Sequence, residues 1–404
     1  MRGVLLCATD RRFLEQVLTH INRKHKDRAL PDNLPQWRHV NLEAPVWAIR
    51  HYREALRLNP SYAEALSSLS NALRSQGKQD EAISQDREAV RINPNLAEGH
   101  YNLAAALEAK GDVEGAIRHY RRALEINPRS SATLSNLAVV LLAKGETGEA
   151  VRYLTRAIEI SPGSAEAHYN LGIAAAAGGD TAAAMRHYRR ALQLKPDHVD
   201  AHSNLGAALM AQNKMPEALD ELQQAVRLNP RHAGAQYNLG VALGSTGKVS
   251  EAARHFREAV ALDPSNARAH FYLANSLAMN GERNKALQHL EKASQLAPAW
   301  PSPLTNRAWL LATGATSGAQ QGDEAIPLAR RAVELTKRQD VTALDALAAS
   351  YAIAGQFSDA VKTTEEALRL SSIPPPLTRQ IRERLALYKQ GKPYRESTAP
   401  GGPR

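Results

Sequence analysis

This sequence predicts an all-α solenoid of about nine helix–turn–helix repeats, closed by a C-terminal capping helix. Three observations predict it. Pro60, Pro94, Pro128, Pro162, Pro196, Pro230, Pro264 and Pro298 stand 34 residues apart without a slip, each closing a phrase of one form, such as ALRLNP, AVRINP or ALEINP. Between the prolines, apolar and small residues recur along a single helical stripe. Finally, 404 residues with 5% aromatics and abundant alanine exceed one ordinary core and suit close helix packing better than a sheet.

Seven units, 63–96, 97–130 and so on to 267–300, carry the regular pattern. Positions 4, 7, 8 and 11 of each unit are apolar or small, as in Leu134, Leu137, Ala138 and Leu141, and fall on one face at about 100° per residue. Position 8 is small throughout (Ser70, Ala104, Ala138, Gly172, Gly206, Gly240, Ala274), and positions 20 and 27 are always alanine, as in Ala82 and Ala89. Small residues on two facing helices let their axes approach closely, which describes antiparallel pairs. Position 15 is usually glycine (Gly77, Gly111, Gly145, Gly179, Gly247, Gly281), where the first helix needs a left-handed cap. The proline at position 32 ends the second helix. Asp86 breaks the pattern at an otherwise apolar position 24, and His replaces the usual aromatic at position 4 in four units.

These residues resemble the tetratricopeptide repeat (TPR) over most of the chain. The resemblance implies a right-handed TPR superhelix whose first helices line an inner, concave surface. Around the regular units, residues 1–28 carry no repeat signature and 29–62 read as a degenerate first TPR, its first helix spoiled by Pro31 and Pro35. Residues 301–340 read as a TPR with an insertion in the Gly-rich ATGATSGAQQGDEA, since Ala308 to Ala325 spans 17 residues where other units take 12. A last TPR follows at 341–372, then a capping helix and disordered tail over 373–404. This closing portion resembles the C-terminal ends of bacterial TPR proteins, some of which carry a membrane glycosyltransferase domain.

Positions 2, 6, 9 and 13 fall opposite the core stripe of the first helix. Position 6 reads Asn102, Asn136, Asn170, Asn204 and Asn238, with Asn306 in the stretched unit. Asparagine costs roughly 0.5 kcal/mol against alanine inside a helix, so its recurrence wants a reason. Carboxamides in register match the donors and acceptors of an extended peptide backbone. The arrangement resembles the asparagine ladder of O-linked N-acetylglucosamine transferase. The alternative is that duplication copied an asparagine that helps adjacent helices pack. On the peptide-binding reading, alanine at Asn136, Asn170, Asn204 and Asn238 should weaken capture and leave the thermal midpoint unchanged or higher. Position 5 flanks this groove with Tyr101, Tyr169, Tyr237 and Phe271, alternating with serine, either as ligand contacts or as packing. Acidic residues at position 2 (Glu64, Glu98, Glu166, Asp200) make the early groove mildly acidic or complement the helix dipole.

Chemistry beyond binding is not expected. The single cysteine, Cys7, forms no internal disulfide, and the fourteen histidines follow the repeat rather than metal-ligand spacing. Neither metal nor cofactor is expected. GSTGKV (Gly244 to Val249) has Ala242 where a phosphate loop needs its first glycine and Val249 where it needs Ser or Thr. No nucleophile–base set emerges, so the chain is not read as an enzyme. The net charge of +10 is spread thinly, with no aromatic-interleaved basic patch, so nucleic acid is not an expected partner. RNA contact through Arg118, Arg121, Arg122, Arg186, Arg189 and Arg190 is a third-ranked option. No stretch reaches the ~18 apolar residues of a membrane span, and the start lacks a secretory pattern, so a cytoplasmic location is expected. The leading functional expectation is a protein-interaction scaffold holding an extended peptide or partner domain. The runner-up is the substrate-presenting arm of a separately encoded or lost protein glycosyltransferase.

Overall fold

The computed structural model describes residues 44–316, 318–370 and 373–396. Residues 1–43, with Cys7, Pro31 and Pro35, lie outside the described residues, as do 397–404. Every element among the described residues is a helix, and the chain divides into two compact units, up to Leu194 and from Lys195. The first unit opens with α1 (Ala44–Leu58) and continues in four pairs: α2 (Ala63–Ser75) and α3 (Gln79–Ile92), α4 (Ala97–Ala109) and α5 (Val113–Ile126), α6 (Ser131–Lys144) and α7 (Thr147–Ile160), α8 (Ala165–Ala177) and α9 (Thr181–Leu194). The second unit has five pairs and a closing helix. These are α10 (Val199–Ala211) and α11 (Met215–Leu228), α12 (Ala233–Ser245) and α13 (Val249–Leu262), α14 (Ala267–Met279) and α15 (Arg283–Leu296), α16 (Pro301–Thr313) and α17 (Ala319–Leu335), α18 (Val341–Ile353) and α19 (Phe357–Ala367), then α20 (Pro375–Lys389).

Local chemistry sets each boundary. The glycines at position 15 adopt positive φ, from 75° at Gly77 to 85° at Gly145, and Asn213 takes the same left-handed conformation in the one regular unit without glycine. There the Gly111 and Asp112 N–H groups donate to the Glu108 and Leu107 carbonyls, both at 2.9 Å, satisfying acceptors that the end of α4 would leave open. At the other boundary, the side chains of Asn93, Asn127, Asn229 and Asp263 accept backbone N–H groups two residues on, folding the turn around each proline. First helices then start on caps: Ser130, Ser164 and Asn266 each accept from the N–H three residues later.

The core is built from the invariant small residues. Ala116, Ala150, Ala157, Ala184, Ala218 and Ala252 are fully buried between the helices of their pairs. In the units with glycine at position 8 the second helix comes close: a Cβ on Gly206 would lie 2.5 Å from Leu222 Cγ, and one on Gly240 2.7 Å from a Phe256 ring carbon, whereas Ala104 and Ala138 keep their Cβ beside Tyr120 and Leu154. Positions 5 and 24 alternate together. Tyr101 meets Tyr120, Tyr169 meets Tyr188 and Tyr237 meets Phe256, with ring centroids 5.9–6.0 Å apart. Units with Ser135 or Ser203 at position 5 instead carry Leu154 or Leu222 at position 24. In the unit 63–96, Asp86 occupies that slot fully buried, accepting from Ser70 Oγ at 2.5 Å. Burial pushes the Asp86 carboxyl up to about 7, against the opposing pull of its Ser70 hydrogen bond.

The insertion in the stretched unit is shared between loop and helix. α17 starts at Ala319, inside the Gly-rich segment, and runs 17 residues with Pro327 within it. Gly322 lets α17 approach α18, since a Cβ there would lie 2.7 Å from the Ala354 nitrogen. α20 begins at Pro375, whose missing N–H suits the first turn of a helix. Its Arg384 is buried against Asp345 of α18, with N–O distances of 3.0 and 2.6 Å. The tail expected to be disordered is docked as far as Glu396 on the end of α16, because several polar groups there find partners in it.

Candidate peptide-binding surface

The stripe at positions 2, 6, 9 and 13 is the least covered part of the first helices. Glu98, Glu166 and Asp200 are exposed at position 2, as are Ala109, Ala143, Ala211 and Ser245 at position 13. Between them lie the position 9 residues, mostly apolar: Ala105, Ile173, Ala207 and Val241 are half-buried, and Val139 is 38% exposed. Asn136, Asn170, Asn204, Asn238 and Asn306 are half-buried beside them, whereas Asn102 is buried at 3% exposure.

The carboxamides are held from behind. In the first unit, Asn102 Nδ2 donates to Ser67 Oγ at 2.8 Å and Asn136 Nδ2 donates to the Tyr101 hydroxyl at 3.0 Å. In the second, Asn238 Nδ2 donates to Ser203 Oγ at 3.1 Å. Each bond runs to position 5 of the preceding repeat, which explains why that position alternates tyrosine with serine: both present a hydroxyl. Phe271 lacks one, and Asn306 Nδ2 turns instead to Asn275 Oδ1 at 2.9 Å. An amide with two N–H groups and a carbonyl keeps further bonding capacity after one such donation. The thermal expectation is thereby reversed. Removing these side chains deletes inter-repeat hydrogen bonds, so the midpoint should fall.

The flank residues are packed as well as placed. Tyr101, Tyr169 and Tyr237 are half-buried against the rings at position 24, and Phe271 lies 4.7 Å from Trp300, centroid to centroid. Tyr272 stands where the five preceding units have asparagine, edge-on to Tyr237 at 5.9 Å and 37% exposed, and Met279 further along α14 is 52% exposed. Tyr272 is visible in the sequence as a break in the asparagine register, whereas nothing in the sequence marks Met279.

The histidines are struts between the two helices of a pair. His100 and His119 approach at 2.9 Å through their Nδ1 atoms, as do His270 and His289, and His168 and His187 at 3.3 Å. Glu221 and Gln236 replace one partner elsewhere, 2.6 Å from His202 and 2.7 Å from His255. Burial lowers the pKa of His100, His119, His168, His187, His270 and His289, while the Glu221 hydrogen bond raises that of His202. Among the described residues, no three His, Cys, Asp or Glu side chains converge as metal ligands. A cleft of about 560 Å³ lined by Asp80, Arg87, Glu88, Arg91 and Lys110 lies off the stripe. Of the arginines weighed for RNA contact, Arg121 pairs with Glu149 and Arg122 with Glu125. No helix among the described residues is long and apolar enough to cross a membrane.

Family profiles described as tetratricopeptide repeat match residues 135–199, 169–233, 203–253 and 237–302, and another matches 95–163. A TPR repeat profile matches 70–111. No curated protein matches the chain. Among solved structures, it is similar to the Cut9–Hcn1 hetero-tetramer of the APC/C at 16% identity and TM-score 0.54, covering 74% of this chain and 58% of that one. That likeness is one of fold. It is also similar to PilF of Pseudomonas aeruginosa (19% identity, 53% and 97% of the two chains, TM-score 0.48). YrrB, described as a TPR protein with an unusual peptide-binding site, shares 26% identity over 46% of this chain and 97% of its own, at TM-score 0.38. With its repeat period, its paired helices with left-handed turns and its profile matches in agreement, the chain belongs to the tetratricopeptide-repeat family.

Proposed function

We propose that this protein is a non-catalytic interaction scaffold that holds extended polypeptide along the stripe of the first helices within each compact unit. The observation that carries the reading is the recurrence at position 6 of Asn102, Asn136 and Asn170 in the first unit and of Asn204 and Asn238 in the second. Four carboxamides, those of Asn102, Asn136, Asn238 and Asn306, are oriented by a bond to the preceding repeat. Oriented amides lose little entropy on meeting a ligand, and each new hydrogen bond to a peptide backbone is worth about 0.5–1.5 kcal/mol net. The neighbouring Ala105, Val139, Ile173 and Val241 offer apolar contact to side chains without demanding particular ones. Many modest contacts then add up to affinity with broad sequence tolerance. Tyr101, Tyr169, Tyr237 and Phe271 act in this reading through packing that fixes the stripe.

A protein or peptide is therefore the partner, nucleic acid is not, and a cytoplasmic location completes the proposal. Nothing specific to glycosyl transfer accompanies the asparagines, so the substrate-presenting arm is not carried forward. The test is an array of unstructured twelve-residue peptides probed with the purified chain. Capture of a broad subset, lost when prolines remove the peptides' N–H groups, supports the reading. Capture of none, or capture indifferent to proline, overturns it.

A further inference from the structure

The stretched repeat ends its first helix differently from every regular unit. Where those units close on a residue with positive φ, Gly314 is extended (φ −60°, ψ 148°) and caps nothing. The carbonyls at the end of α16 are thus left for other donors, and the chain's own C-terminal segment supplies them. The Glu396 N–H donates to the Thr313 carbonyl at 2.8 Å, and Arg395 Nη1 donates to the Gly314 and Ala315 carbonyls at 3.2 and 2.9 Å. A cation at a helix C-terminus also complements the helix dipole.

Side chains complete the fit. Trp309 occupies position 9 of this unit, on the outward stripe, and its Nε1 donates to Glu396 Oε1 at 2.9 Å. The Tyr394 ring lies 6.0 Å from the Trp309 ring, and the Arg384 guanidinium faces both rings at 5.1 and 5.4 Å. Asp345 fixes that guanidinium from the other side. Arg283 adds positive charge toward Glu396, and its Nη2 is buried without a hydrogen-bond partner. Gly391, at φ 68°, turns the chain out of α20 to begin this run.

We infer that the end of α16, with Trp309, Arg384 and Arg283, is a recognition site for an extended segment of aromatic–basic–acidic sequence. Tyr394, Arg395 and Glu396 fill it in cis, and a partner polypeptide bearing the same triplet displaces them. Each residue of the triplet has its own receptor: the tilted Trp309 ring and the Arg384 guanidinium for the aromatic, loop carbonyls for the base, an indole N–H and the Arg283 guanidinium for the acid. A short tether gives the cis segment an effective concentration in the millimolar range, so a competing partner succeeds through added contacts on the adjoining stripe. The site adjoins the asparagine stripe through Trp309 but makes no use of the carboxamides, so the experiment below tests it apart from them.

The test uses the full chain and a labelled synthetic peptide of its residues 390–399, QGKPYRESTA. In a Tyr394→Ala/Glu396→Ala variant the site is vacated, and fluorescence anisotropy should show the peptide binding at least tenfold more tightly than to the unsubstituted chain. Adding Trp309→Leu should abolish that binding. No binding to the vacated variant, or equal binding to both chains, overturns the inference. Because the variant could lose its terminal packing, hydrogen exchange on the unsubstituted chain gives an independent readout. Excess unlabelled peptide should accelerate exchange of the Glu396 amide, and an unchanged rate overturns the proposal equally.

Discussion

The regular repeats and the C-terminal end use one helical register for opposite purposes. In the regular units, position 9 holds Asn71, Ala105, Val139, Ile173, Ala207, Val241 or Asn275, none of them aromatic, and most of the stripe around it is exposed or half-buried. In the stretched unit, the same position holds Trp309, and the chain's own tail lies on it. The cause is local: an insertion replaces a left-handed turn by an extended Gly314, and the freed carbonyls attract Arg395 and the Glu396 N–H. Small changes in turn chemistry thus decide whether a repeat presents its face or covers it.

Five substitutions sharpen this contrast. The largest effect should come from Arg384→Ala, which strands Asp345 as a buried, uncompensated charge. Loss of one partner from such a pair costs about 3–5 kcal/mol. Calorimetry should show an early transition, and Asn136→Ala should give none; a single unshifted transition for Arg384→Ala would refute the role given to the pair. Asp86 comes next. Its carboxyl titrates near 7 in the fold against an ordinary 3.8, so the folded state binds the extra proton across that window. Stability should therefore fall as pH rises from about 4 to 7, by up to ~4 kcal/mol. Arg74 opposes the upward shift and Glu98 adds to it. Denaturant titrations of Asp86→Asn should lose that slope, and a slope equal to that of the unsubstituted chain would remove Asp86 from the account.

Gly240→Ala should cost about 1–3 kcal/mol, because its Cβ would press on Phe256. The neutral counterpart is position 8 of the unit 97–130, already Ala104. Urea midpoints of the variant and the unsubstituted chain are compared, and a Gly240→Ala protein as stable as the unsubstituted chain would mean the pair separates freely. The smallest effect belongs to the inter-repeat bond. Tyr101→Phe keeps the ring but removes the acceptor of Asn136, at an expected loss of about 1 kcal/mol. Asn136→Ala should lose no more, since better helix propensity offsets part of the cost. A thermal midpoint raised by Asn136→Ala would restore the expectation drawn from sequence.

The repeat architecture was legible because it rests on backbone chemistry that recurs. Proline, glycine and alanine at fixed positions dictate turns and close approach whatever surrounds them, and even Asn213 kept the left-handed turn. The asparagines were legible as a register but their bonding was not, because a bond to Ser67 or Tyr101 spans 35 residues and depends on how successive repeats pack. The same limit hid the Arg384–Asp345 pair and the docked tail, 39 and 87 residues apart in sequence. Trp309 was the available signal: a large aromatic at a position that the regular units fill with alanine, valine, isoleucine or asparagine marks a face that meets something.

The most direct test of the central claim is affinity capture from the source organism's lysate. The chain, its Asn136/Asn170/Asn204/Asn238→Ala variant and the Tyr101→Phe control are compared by mass spectrometry. If the carboxamides hold a polypeptide, a set of partners is lost from the fourfold variant and kept by the control, whose loosened repeat contact matches in kind but leaves the amides in place. Identical partner lists for all three proteins would contradict the claim and leave the asparagines as struts between repeats.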